Sequence, residues 1–190
     1  MGQRSQIYIR YHKNDKDYLI ARYYQWNYGE RMISRCKHTL EWIKEMLNYD
    51  WYLTTETEKL KRIMDVNFDM QDVVIGDDII NEYLEDESWS KHHSFNDCVF
   101  KCQDNNDGKL FIDIRDEKIK YAFLDYDCDT KHIMNAEQYM NWDYENWITA
   151  KYIDDEQKLI CFNNIQAIAK MAELMTQEEL EDFINCDYGY

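Results

Sequence analysis

The chain has 190 residues, 45% of them hydrophobic and 15% aromatic, with no proline and only five glycines. This excludes a disordered chain and argues against two domains joined by a flexible linker, so a single domain over residues 1–190 is expected. The formal net charge is −16, and a surface so acidic repels free nucleic acid and attracts basic proteins.

The charge is not evenly spread. Residues 1–45 hold nine Lys or Arg against five Asp or Glu, whereas the rest of the chain holds 13 against 33. Polarity of this kind suits a partner carrying both signs, or two partners; the ordinary alternative is that the acid serves solubility. No apolar run approaches the roughly 20 residues that a membrane helix needs, and no secretory signal pattern is seen, so a soluble cytoplasmic protein is expected. The six cysteines (Cys36, Cys98, Cys102, Cys128, Cys161 and Cys186) lack CxxC spacing and are expected to be thiols rather than disulfides or metal ligands.

In residues 4–12, Ser5, Ile7, Ile9 and Tyr11 alternate with Arg4, Gln6, Tyr8, Arg10 and His12, which predicts a strand with one buried face. A turn cluster at 13–16 leads into a second strand at 17–26, completing a hairpin. Residues 30–47 form the clearest helix. Ile33, Cys36, Leu40, Ile43 and Leu47 make its apolar stripe, and Arg31, Arg35, His38 and Trp42 line another face. A short helix is expected at 55–64 and a short strand at 72–75. A helix capped by Asp77 or Asp78 then runs to 87, and a surface loop to 97. Strands at 97–103, 109–115 and 118–124 read as a meander. The first connection, at 104–108, resembles a calcium loop. It fails on register, because Gly108 at the sixth position places Gln103 first and Ile114 twelfth, where acids are required. Asn135 then caps a helix to 142, and a longer helical run follows over 144–175, broken near 153–154. Thr176 with Glu179 forms a capping box that opens the last helix. The expected fold is α+β: an approximately five-stranded, mostly antiparallel sheet, built from the N-terminal hairpin and the central meander, with helices packed on one side.

The hairpin and first helix concentrate the chemistry. Arg4, Gln6, Tyr8 and Arg10, with the rings of Trp26, Tyr28 and Trp42, have the composition of an RNA-binding face, because guanidinium groups hold phosphates and aromatic rings stack on unpaired bases. Were the helix to pack beside that face, His12, His38 or Glu30 would be placed as a general base near a 2′-hydroxyl, and Arg31 or Arg35 as the cation near the phosphate. The ordinary alternative is a basic face with Arg10 and Arg35 in salt bridges to the acidic body. No Walker loop, GxGxxG, GxSxG or HExxH is present, and neither a cofactor nor a metal is expected. His92-His93 and the Asp125, Asp127, Asp129 triplet read as solvated polar segments.

The segments MGQRSQIYIRY, LIARYYQWNYGERMISR and DCVFKCQDNNDGKLFIDI resemble small proteins carried by phages and mobile elements of Gram-positive bacteria, and the chain is similar in texture to anti-CRISPR proteins that act against type II systems, including those that act on guide RNA. A looser likeness is to phage proteins that open MGxRSxI and continue with a YxxW strand. The resemblance implies an inhibitor in the host cytosol that binds an RNA-guided nuclease or its guide RNA, with guide cleavage left open. A stand-alone phage ribonuclease or hydrolase, and a non-enzymatic protein-binding module, are the alternatives. The aromatic load is compatible with a homodimer.

Overall fold

The computed structural model describes residues 4–25, 31–48, 76–78, 109–124, 132–143 and 155–186. Two hairpins form its centre. The first joins β1 (Arg4–Lys13) to β2 (Lys16–Gln25) and the second joins β4 (Lys109–Arg115) to β5 (Lys118–Leu124), with β3 (Gly76–Asp78) between them in sequence. Both connections are two residues long with positive φ at each residue: Asn14 53° and Asp15 57°, then Asp116 50° and Glu117 63°. That is the type I′ geometry whose twist matches paired strands.

Among the described residues the sheet has six strands in the order β3-β2-β1-β4-β5-β6, β6 being the two-residue Glu173–Leu174. It is mixed rather than mostly antiparallel. The hairpins lie side by side through a parallel β1·β4 pair, running from Gln6 opposite Lys109 to His12 opposite Arg115, and β6 adds to β5 in parallel. Turn residues fix which strands form hairpins, but nothing local fixes how two hairpins meet. The first meander strand, at 97–103, lies outside the described residues, as do the helix at 55–64 and the loop before residue 97. Residues 76–78 pair with β2 as a strand where the sequence pattern places a helix cap at Asp77 or Asp78.

Four helices follow the pattern more closely. α1 (Arg31–Leu47) buries Met32, Ile33, Cys36, Leu40 and Ile43. α2 (Ala136–Asp143) is capped reciprocally: the Gln138 amide donates to Asn135 Oδ1 at 2.8 Å and the Asn135 amide to Gln138 Oε1 at 2.9 Å. α3 (Asp155–Met171) ends earlier than its apolar pattern, because the chain turns out to pair with β5 and Met175 N donates to Tyr121 O at 2.9 Å. α4 (Gln177–Asn185) opens with the expected capping box, Thr176 Oγ1 accepting from Glu179 N at 3.2 Å and Glu179 Oε2 from Thr176 N at 2.9 Å.

Helices cover both faces of the sheet, not one. Ile7, Ile9 and Tyr11 of β1 join Leu110, Ile112 and Ile114 of β4 in a cluster with α1, α2 and α3. Successive strand residues point to opposite faces. Tyr8, Phe111, Ala122 and Leu124 therefore point the other way, and they pack with Leu180, Phe183 and Ile184 of α4. A strand covered on both faces must bury every side chain, which is why β4 is buried from Lys109 to Ile114. No helix among the described residues is long and apolar enough to cross a membrane.

Candidate functional site

The two candidate groups read from the sequence lie on opposite sides of the sheet. Gln6, Tyr8, Arg10 and His12 do share one face of β1, and it is the face turned toward α4. α1, which carries Arg35, His38 and Trp42, packs on the other face because its apolar stripe meets Ile7, Ile9 and Tyr11 there. The expected convergence of strand and helix cations into one patch does not occur. The face read as polar and outward is also interior: Gln6, Tyr8 and Arg10 are all buried, so in this arrangement they are not presented to a partner. Arg35 is fully buried on α1, His38 is half-buried, and Trp42 packs at the margin of the α1-side core. Arg4 and Arg31 begin β1 and α1, and their side chains lie outside the described residues, as do Trp26, Tyr28 and Glu30 altogether.

What the structure assembles instead is an ionic cluster between β1, β4 and α4. Arg10 is 1% exposed and binds Asp113 in bidentate fashion, Nε to Oδ1 at 2.7 Å and Nη2 to Oδ2 at 2.8 Å. Its remaining Nη1 donates to Asp182 Oδ2 on α4 at 2.9 Å. The guanidinium lies 4.8 Å over the Phe183 ring, Phe183 meets Phe111 edge-on at 5.4 Å, and Phe111 stacks on Tyr8 at 5.0 Å. A planar fork, two carboxylates and a ring face satisfy a buried arginine in a way that a lysine would not. Sequence reasoning missed Asp113 and Asp182, which lie 103 and 172 residues from Arg10. Only the parallel β1·β4 register, with Arg10 opposite Asp113, would have found the first.

The cluster forms part of the lining of a cleft of about 510 Å³. Six carboxylates line it, those of Asp113, Asp116, Glu173, Glu178, Glu179 and Asp182, against the cations of Arg10, Arg115, Lys118 and Lys120. Lys120 is hydrogen-bonded to Glu179, and Arg115 reaches Asp182 at 3.7 Å. The Lys120 hydrogen bond and the Thr176 backbone amide hold the Glu179 carboxyl below its ordinary pKa. With carboxylates in excess and the buried arginine already bonded, the cleft does not favour a phosphate.

His12 belongs to a second small group at the hairpin end. Its Nδ1 lies 2.8 Å from Asp17 Oδ1, and Cys186 Sγ donates to Asp17 Oδ2 at 3.3 Å. Burial works to raise the Asp17 carboxyl, but hydrogen bonds from His12 and Cys186 and the charge of Arg10 outweigh it, and the pKa falls below its ordinary value. The carboxylate stands between the thiol and the imidazole, so the group lacks the order of a nucleophile–base–orienter relay. Burial and the Asp17 hydrogen bond also push the Cys186 thiol up, away from the thiolate a nucleophile needs. Cys36 and Cys161 are buried thiols, burial raising the first strongly and the second to about 11. Among the described residues no group of three His, Cys, Asp or Glu is arranged to hold a metal ion. Comparison with protein-family models, curated proteins and solved structures finds no match to the chain.

Proposed function

We propose that the protein is a non-catalytic inhibitor of a type II RNA-guided nuclease, acting in the host cytosol by laying its acidic surface on a basic groove of the nuclease. The observation that supports this is the fate of Arg10. Arg10, one of the arginines the sequence offers for an RNA phosphate, is bonded internally to Asp113 and Asp182. His12, the candidate base on the same strand, is held by Asp17. With Arg10 and His12 engaged within the fold, the charge of −16 carries the reading, because it complements a groove built for nucleic acid.

The protein is titrated into nuclease, guide RNA and target DNA, and both nucleic acids are followed. Stoichiometric loss of target cleavage with the guide intact is expected, weakening as salt is raised. Unimpaired cleavage at excess protein across several type II nucleases would overturn the proposal. Degraded guide RNA would replace it with the ribonuclease alternative.

A further inference from the structure

Charge is segregated across the contact between the sheet and α4. Among the residues whose side chains are described, the sheet face turned toward α4 carries Arg10, Lys109, Arg115, Lys118 and Lys120 against Asp17, Asp113 and Glu173. The whole chain has the opposite balance, 22 Lys and Arg to 38 Asp and Glu. α4 carries Glu178, Glu179, Glu181 and Asp182 and no basic residue. Its grip on the sheet is made of matching pairs: Asp182 with Arg10 at 2.9 Å and with Arg115 at 3.7 Å, and Glu179 with Lys120. Beneath it Tyr8 and Phe111 stack on neighbouring strands.

A row of cations interleaved with stacking rings on a sheet is the composition of a platform for single-stranded nucleic acid, where rings take bases and cations take phosphates. The α4 carboxylates stand at the cations that such phosphates would use. α4 can also leave without unravelling the sheet. Met175 N donates to Tyr121 O before α4 begins, and Cys186 Sγ donates to the Asp17 side chain after it ends, so these two attachments flank the helix.

We propose that α4 is an autoinhibitory cover: its carboxylates occupy the cations of a single-stranded RNA-binding sheet face, which takes RNA when the helix is displaced. The competing structure is a permanently seated helix, since Leu180, Phe183 and Ile184 are buried. The inference does not rest on the inhibitor reading, because its probe is RNA alone.

The double variant Glu179→Gln with Asp182→Asn loosens the ionic grip and keeps the apolar side of α4, and Glu179→Lys with Asp182→Lys repels the sheet cations outright. Each is compared with the unaltered protein for binding fluorescein-labelled oligouridine by anisotropy, and hydrogen exchange is read in α4, β1 and β4. Exchange in α4 should rise while β1 and β4 stay protected, and oligouridine should bind at least about tenfold more tightly. Adding Tyr8→Leu, which keeps an apolar side chain but no ring, should remove most of that gain. An opened α4 with no gain in RNA binding overturns the proposal. So does an α4 that stays protected in the charge-reversed variant, or protection lost throughout β1 and β4 in both variants. Polyglutamate displacing oligouridine equally well would also overturn it and make the face a groove for acidic peptides.

Discussion

Ile7, Ile9 and Tyr11 of β1 look toward α1, α2 and α3, whereas Tyr8 and Arg10, their immediate neighbours in sequence, look toward α4. On the first side burial is achieved mainly by aliphatic and aromatic packing, including the stack of Phe123 on Tyr139 at 4.6 Å, although Arg35 of α1 is buried as well. On the second, a buried arginine and the buried Asp113 lie against rings, and the exposed Asp182 closes the pair from outside. The first kind of core tolerates repacking, since its contacts are many and individually small. The second depends on completeness, because each charged group is stable inside only while its partner is there.

Breaking one partner on each side should expose that difference. Arg10→Ala strands Asp113, which is 8% exposed, and should cost about 3–5 kcal/mol in urea unfolding. Replacing both partners, Arg10→Met with Asp113→Leu, should recover most of that loss, since matched apolar residues often do as well as a buried ion pair. On the opposite side Leu40→Ala should cost about 3 kcal/mol through lost burial and a cavity, and Leu40→Met about 1 kcal/mol. The telling quantity is the recovery: a double variant no more stable than Arg10→Ala would mean that the α4 side is not organised around charge pairing.

The caps and hairpins were legible in the sequence because their causes are local. Thr176 and Glu179 lie three residues apart, as do Asn135 and Gln138, and each pair bonds as its spacing predicts. The α1 stripe was legible for the same reason. The mixed sheet was not, because the β1·β4 pairing joins segments about a hundred residues apart and no turn specifies it. Gln6, Tyr8 and Arg10 were read as an outward face because a polar residue in an alternating strand looks the same whether water or a distant carboxylate satisfies it. Gln6, Tyr8, Arg10 and His12 do share one strand face, but the helix that carries Arg35 and His38 packs behind the sheet.

Smaller perturbations sharpen the comparison. Thr176→Ala removes the side-chain half of the cap on a nine-residue helix and should cost about 1 kcal/mol, read chiefly as faster exchange in α4 rather than in α1. Acid should act on the same side. Asp17 and Glu179 are both held below their ordinary values of 3.8 and 4.5 by partners in the fold. For a depressed carboxyl the stabilisation is present above the unfolded pKa and is lost as pH falls through the folded one. Exchange in α4 should therefore rise below about pH 4 while α1 stays protected. Simultaneous loss on both sides would mean that the two faces do not open independently.

The smallest expected effect lies in a turn that belongs to neither face. Asn14, Asp15 and Asp116 adopt positive φ at little cost, because a short polar side chain can bond locally to the backbone. Glu117, at φ 63°, has no such short side chain and carries the left-handed penalty of about 1 kcal/mol. Glycine removes that penalty but gives back part of the gain through the greater entropy of the unfolded chain. Glu117→Gly should therefore stabilise the protein by about 0.5 kcal/mol. Asp15→Gly in the other hairpin should gain less. Since the β4–β5 turn anchors strands that contribute to both cores, protection of α1 and α4 should rise together in Glu117→Gly. A gain confined to one side would show that the turn is coupled to that face alone, and a loss would mean that the Glu117 side chain contributes more than its strained backbone costs.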